Sequence, residues 1–273
     1  MLVSESFKQN KSVDQTEIEI FLSHLLKKDR TYIKAFPEFK LNKRQEVAFN
    51  DFLKRRSKHE PLHYILGFKE FFNLKFKVDS RVMIPRSETE NLVAEVIKHV
   101  YSQPKREIRK SITIVDVGTG SGSIAISLAK AIPFAEIIAI DKSSKALQIT
   151  RENIKQHEVS RQVKLIRGDL LAPIQQKVDI VVANLPYIPL SRLKTLEPEI
   201  RKWEPKVALD GGADGFVFLR KIFKQAPKIL KPGGYLFYEV DGEPYQKIFE
   251  SSYPDGGGLS KGTEGTKISS VSF

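Results

Sequence analysis

Asp116-Val117-Gly118-Thr119-Gly120-Ser121-Gly122 places three glycines at alternate positions behind an acidic residue. Glycine has no Cβ, so such a loop reaches positive φ and lets a ligand approach backbone amides closely. The dinucleotide fingerprint G-x-G-x-x-G needs glycine where Ser123 stands. No Gly-Lys-Ser/Thr is present, which excludes a phosphate-cradling Walker loop. The pattern suits a nucleotide-like ligand without a pyrophosphate. Asp141 lies 23 residues beyond Gly118, where a strand-end carboxylate can accept both hydroxyls of a ribose. Asp169, in Arg167-Gly168-Asp169-Leu170, is a third strand-end acid; it or its apolar neighbour can meet an adenine ring. Asn184-Leu185-Pro186-Tyr187 adds a second kind of chemistry. The Asn184 side-chain carbonyl and the Leu185 carbonyl, held before a proline, are two acceptors that can grip an NH2 group with two donors. The Tyr187 ring can pack on a planar substrate. Together these residues read as an S-adenosylmethionine-dependent methyltransferase acting on a planar amino or amide nitrogen.

The elements that must hold these residues follow from periodicity. From about residue 86 onward, strands and helices alternate, the pattern of a doubly wound parallel sheet. Strands are expected at 112–117, 136–140, 163–166, 178–183 and 235–240, with a turn at Lys231-Pro232-Gly233-Gly234. Helices are expected at about 87–100, where Ser87 and Glu90 form a capping-box signal, and at 123–131. Two more are expected at 143–157, capped by Ser143, and at 214–230, with Pro227 a kink. Ligands of such sheets bind at the carboxyl ends of the strands, where all the motifs above fall.

Residues 14–60 read differently. Ile18, Phe21, Leu22 and Leu25 share one helical face, and Asn42 caps a second helix carrying Val47, Ala48, Phe52 and Leu53. Between them and the sheet, Phe72, Leu74, Phe76 and Val78 alternate as in a strand, which predicts a hairpin. The expected organisation is a helical domain over 1–61, a β-hairpin linker over 62–85 and a catalytic domain over 86–273.

With 273 residues the chain is long enough for a large core without disulfide staples. There are no cysteines, so disulfides, thiolate metal sites and cysteine nucleophiles are excluded, and no metal is expected. No apolar run approaches a membrane span, and the start, MLVSESFKQNKSVD, lacks the apolar core of a signal peptide. A cytoplasmic protein with no membrane partner is expected. The net charge is +12, which favours polyanionic surroundings. The densest basic groups, around Lys54-Arg55-Arg56 and Lys105-Arg106, have no interleaved aromatics for base stacking, so direct nucleic-acid binding is not expected.

Over residues 14–245 the chain resembles the HemK/PrmC family of protein-(glutamine-N5) methyltransferases. Pro61-Leu62-His63-Tyr64-Ile65-Leu66-Gly67 with Glu70-Phe71 is similar to the family's PLxYILGxxEF segment, and Ile84-Pro85-Arg86-Ser87-Glu88-Thr89-Glu90 to its IPRPETE segment. The glycine loop, Asp141, Asn-x-Pro-Tyr and Leu209-Asp210-Gly211-Gly212-Ala213-Asp214-Gly215 follow in the family's order.

The resemblance implies a helical N-terminal domain, a β-hairpin and a Rossmann-like class I domain with a seven-stranded sheet. It implies S-adenosylmethionine as cofactor, held by Asp116, Gly118, Thr119, Gly120, Ser121, Gly122, Asp141, Asp169, Leu170 and Asn184. It implies as substrate the glutamine in the Gly-Gly-Gln motif of class I release factors, a step serving translation termination. Asn184, Leu185, Pro186 and Tyr187 match the substrate-amide clamp, with Asn184, Pro186 and Tyr187 as the catalytic set. Leu170 stands where relatives often carry an aromatic residue beside adenine. Leu185 and Ser87 replace usual prolines, and the tail 254–262 is glycine-rich where relatives have a closing hairpin. The alternative readings are glutamine methylation of a large-subunit ribosomal protein, N6-adenine methylation of RNA or DNA, and an inactive binding module.

Overall fold

Reciprocal capping starts the longest helix near the N-terminus. Asn42 Oδ1 accepts the Gln45 amide at 3.0 Å and Gln45 Oε1 accepts the Asn42 amide at 2.9 Å, satisfying two donors that a helix end leaves free. In the computed structural model, which describes residues 1–8, 13–103 and 111–240 and the backbone of 259–260 and 268–272, the chain forms two units. The first comprises Met1–Phe68 together with Glu197–Trp203.

Its helices are α1 (Val3–Lys8), α2 (Gln15–Leu26), α3 (Arg30–Ala35), α4 (Lys43–Arg56) and α5 (Leu62–Leu66). Ile18, Phe21 and Leu22 of α2 are buried as their spacing predicts, and Phe21 stacks on Phe52 at 4.1 Å. Val47 departs from expectation: it is 70% exposed, while Phe49 and Phe52, three apart, carry the inward stripe of α4. At 100° per residue, Val47 cannot share the face of Phe49. Arg56 binds Glu17 through Nε and Nη2 at 2.7 and 2.8 Å and Glu199 through Nη1 at 3.1 Å. The Trp203 indole donates to the Lys58 carbonyl at 3.2 Å.

The second unit comprises Lys69–Leu196 and Glu204–Phe273. The chain enters it through a hairpin of β1 (Phe68–Phe71) and β2 (Leu74–Lys77). The apolar alternation across 71–78 is broken by a turn at Phe72 and Asn73, both at positive φ, as a tight hairpin turn requires. α6 (Thr89–Ser102) follows. Ser87 does not cap it. The first turn is closed by backbone bonds, Thr89 N–H to Arg86 O and Glu90 N–H to Ser87 O, because the chain enters the helix already in the αR conformation at Glu88.

Next come β3 (Ile112–Val117), α7 (Ser123–Ala131), β4 (Ala135–Asp141), α8 (Ser144–Gln156), β5 (Val163–Arg167) and β6 (Val178–Ala183). Ser143 caps α8, its Oγ accepting the Ala146 amide at 3.2 Å. After β6 come α9 (Leu190–Leu193), α10 (Pro198–Trp203, in the first unit), a short 3-10 turn, and α11 (Val217–Ile229), which contains Pro227. α11 begins later than expected because Asp214 accepts the Phe216 amide in a turn before the helix. β7 (Leu230–Glu239) takes in Lys231–Gly234 as a register shift within the strand rather than a separate turn.

The sheet order is β5-β4-β3-β6-β7, all parallel, extended by the backbone of β8 (Leu259–Ser260) and β9 (Ile268–Ser272). β9 runs antiparallel to β7, and β8, antiparallel to β9, is the seventh strand. Of the glycine-rich tail, 254–258 and 261–262 lie outside the described residues. The sheet is covered on both faces. Ile114, Ile126, Val96 and Phe237 belong to one buried cluster, and Val115, Val181, Phe223 and Leu236 to the other. That double burial explains why β3 and β6 read as mainly apolar runs rather than alternating ones. Among the described residues no helix is long and apolar enough to cross a membrane.

Candidate active site

Strand order reverses between β3 and β6, the switch point at which open α/β sheets bind ligands. Register does the placing. Val117 pairs with Ala183 and with Ile140, so Gly118, Asn184 and Asp141 leave three neighbouring strands at one level. A cleft of about 960 Å³, counting space open to solvent, lies there, bordered by Gly118–Ser121, Asp141, Asp169, Leu170 and Asn184–Pro186.

The loop amides are largely spent on the fold itself. Gly118 and Thr119 N–H both donate to the Ile140 carbonyl, at 2.8 and 2.9 Å, and Gly122 N–H donates to Thr119 O. Gly120 N–H donates to Asp141 Oδ2 at 3.0 Å. This is unlike a phosphate cradle, whose amides point at the ligand. Gly118 lies at φ 74, and a Cβ there would stand 3.1 Å from Leu185 Cδ2, so the leucine fills the space the glycine leaves.

Asp141 Oδ1 accepts the Ser143 amide at 2.8 Å. Each carboxylate oxygen thus has one backbone donor and capacity for a further hydroxyl. Burial holds the Asp141 carboxyl above its ordinary range, opposed by the amides of Ser143 and Gly120. Asp169 is exposed at the rim, and Leu170 is buried at positive φ. An adenosine-type group bearing no phosphates fits this donor set.

Asp116 and Gly122 do not border the cleft, although both shape it. Asp116 is fully buried; Oδ2 accepts from Thr119 Oγ1 at 2.6 Å and from the Ala125 amide at 3.2 Å. Its Oδ1 has no hydrogen-bond partner among the described residues, and burial pushes the carboxyl up to about 7.

Asn184 and Thr89 both border the cleft, and Asn184 Nδ2 donates to Thr89 Oγ1 at 2.9 Å, which leaves Oδ1 as the acceptor end of the side chain. Tyr187 borders a smaller neighbouring cavity, with Phe216 and Tyr238, rather than the main cleft. The next residue, Ile188, is held by the Leu209–Gly215 stretch: Gly211 N–H donates to Ile188 O, and Ile188 N–H donates to Leu209 O. Gly215 lies at φ 86 against the Tyr187 carbonyl oxygen, where a Cβ would collide.

Several residues that border the cleft belong to none of the strand-end motifs. Thr89 and Arg86 stand in the Ile84–Glu90 segment, which gives neither a role by itself. Phe218 of α11 reaches the cleft, with Lys142 Nζ 5.3 Å above its ring; no motif links it to the strand ends. Arg81 also borders the cleft, and so does Arg86, which donates to the buried Glu204 at 2.6 Å. That pair ties the segment before α6 to the chain at Pro205, Val207 and Ala208, which border the cleft too.

Residues 108–247 match the family described as Methyltransferase domain, and residues 3–67 match PrmC N-terminal domain. The chain is 39% identical over 225 residues to the release factor glutamine methyltransferase of Geobacter sulfurreducens, covering 82% of this chain and 76% of that one. The protein of the same name from Coxiella burnetii is 36% identical over 255 residues, covering 93% and 88%. That from Bacillus cereus is 32% identical over 257 residues, covering 92% and 89%. Among solved structures, the hMettl16 catalytic domain in complex with MAT2A 3′UTR hairpin 6 aligns with a TM-score of 0.55 at 12% identity, over 85% of this chain and 82% of that one. At that identity the likeness bears on the fold alone. A catalytic sheet, an N-terminal match and end-to-end relatives at 32–39% identity converge, and the chain belongs to the release factor glutamine methyltransferase family.

Proposed function

We propose that the chain transfers a methyl group from S-adenosylmethionine to the side-chain amide nitrogen of the glutamine in the Gly-Gly-Gln motif of class I release factors. The observation that carries this reading is the placement of Asn184 Oδ1. It is an acceptor on a residue that borders the cleft, directly after the strand that pairs with β3. An acceptor there selects an NH2 group. When bound, the cofactor supplies a sulfonium methyl group to the incoming nitrogen.

Asp141, with an unfilled lone pair on each oxygen, takes the ribose hydroxyls. Leu170 and Phe218 offer apolar surface to the adenine. An amide nitrogen is a poor nucleophile because its lone pair is delocalised into the carbonyl. Asn184 Oδ1 and the Leu185 carbonyl receive its two N–H groups and so fix the direction of the lone pair. Orientation of this kind can supply several of the roughly 7–11 kcal/mol available from positioning. The same two acceptors favour the positive charge that develops on nitrogen. Proton loss after methylation needs no strong base, and none is assigned.

The test is incubation with labelled cofactor and an extract containing ribosomes and release factors, with the label located by mass spectrometry. Label on the Gly-Gly-Gln glutamine supports the reading. Label on a ribosomal-protein glutamine, or on adenine, overturns it in favour of the corresponding alternative.

A further inference from the structure

The Asn184 side chain has two ends of opposite hydrogen-bonding character and almost the same shape. Turned one way it offers a carbonyl and selects an amide NH2. Turned the other way it offers N–H donors and selects a carboxylate or carbonyl. The site therefore needs something that holds the plane and the end of this amide.

One side chain is in place to do so. Thr89 is the first residue of α6 and only 4% exposed, and its Oγ1 receives Asn184 Nδ2 at 2.9 Å. The support beneath Thr89 is rigid. Its amide donates to the Arg86 carbonyl, and the Arg86 guanidinium is held by the buried Glu204 carboxylate. Behind it, Leu92, Val93, Val96 and Val100 of the same helix are wholly buried in the sheet core. A hydroxyl carried on so fixed an element is preorganised, and a side chain leaning on it inherits that precision.

We infer that Thr89 is the positioning residue of Asn184: by accepting from Nδ2 it keeps Oδ1 toward the cleft, and so sets the choice of glutamine over glutamate. This rests on the proposed function for its substrate. The contact itself does not depend on which protein is methylated.

Two substitutions separate this role from simple packing. Thr89→Val keeps the shape and removes the acceptor; Thr89→Ser keeps the acceptor and removes a methyl group. In single-turnover methylation of a release factor, Thr89→Val is expected to lose about tenfold in rate, the size of one hydrogen bond. Thr89→Ser should stay within about threefold of the wild type, and calorimetric cofactor affinity should change by less than about twofold in both. A Gly-Gly-Glu substrate should gain on Gly-Gly-Gln in Thr89→Val alone.

A second readout needs no substrate. The Asn184 side-chain amide, assigned in a 15N spectrum by its disappearance in Asn184→Ala, should show one proton protected from exchange in the wild type and in Thr89→Ser. Thr89→Val should lose that protection. Equal rates in Thr89→Val and the wild type, equal losses in Val and Ser, or an unprotected wild-type amide would each overturn the assignment. If the wild type labels no release-factor glutamine, the proposed function fails, and the exchange measurement alone decides the role of Thr89.

Discussion

Asp141 Oδ2 accepts the Gly120 amide at 3.0 Å, so the carboxylate ending β4 and the middle glycine of the β3 loop hold each other in place. Removing the carboxylate costs twice, once in lost ribose contacts and once in loop order. Charge-assisted hydrogen bonds contribute roughly 1.5–3 kcal/mol each. Asp141→Ala is expected to weaken cofactor binding at least tenfold, about 1.4 kcal/mol, while the fold persists by circular dichroism. Unchanged calorimetric affinity would remove Asp141 from the site. Because burial holds its carboxyl above the ordinary range, affinity should decline on acidification earlier than for a solvent-exposed aspartate.

Asp116 makes a prediction about stability. Its carboxyl is raised from 3.8 to about 7 in the folded protein. Between those values the folded state binds more protons than the unfolded one. This group's contribution to stability therefore falls as pH rises through that window and is level above it. Asp116→Asn retains an acceptor for Thr119 and Ala125 and removes the titration. The melting-temperature difference between pH 5 and pH 8 should be smaller in the variant. An identical pH profile would show that Asp116 does not titrate in this range.

Asn184→Ala removes the acceptor and leaves one substrate N–H unpaired in a closed site, a cost of roughly 1–3 kcal/mol. Single-turnover methylation should fall by about ten- to a hundredfold, and cofactor affinity should change much less. Asn184→Asp keeps an acceptor but adds a charge near the sulfonium, which should tighten cofactor binding without restoring transfer. A wild-type rate in Asn184→Ala would sink the amide-clamp reading.

Gly215→Ala tests the support beneath the Asn-Leu-Pro-Tyr loop. The residue lies at φ 86, and its Cβ would collide with the Tyr187 carbonyl oxygen and come within 3.2 Å of Pro189. An L side chain in this conformation costs roughly 1–2 kcal/mol before the collision is counted. Turnover should drop at least tenfold, about 1.4 kcal/mol in the barrier, with cofactor binding retained. Unimpaired turnover would mean that the loop does not depend on this contact.

Much of the architecture is legible in the residues themselves. β3 and β6 are buried on both faces and read as mainly apolar runs between glycine- and proline-bounded loops. Asn42 and Ser143 announce helices because a cap acts locally. The misreadings share a cause. Apolar alternation across 71–78 hides the turn at Phe72-Asn73, because Phe72, in the turn, falls in step with Leu74 and Phe76 of β2. Ser87 has the right spacing for a cap but lies two residues before the first helical residue, with Glu88 in the cap position. Thr89 and Phe218 sit 95 and 34 positions from Asn184 along the chain. No local pattern can bring them to the cleft; only packing on the sheet does.

Residues 197–203 lie with the helices of the first unit, held by Arg56 and by the Lys58 carbonyl, though the chain on either side belongs to the second. The two units are therefore not beads on a string, and no single cut parts them. A fragment beginning after Phe68 would carry Glu199 and Trp203 without their partners, and one ending there would lack the helix those partners hold. Exchange of the helical unit between relatives must move two separate stretches of sequence together.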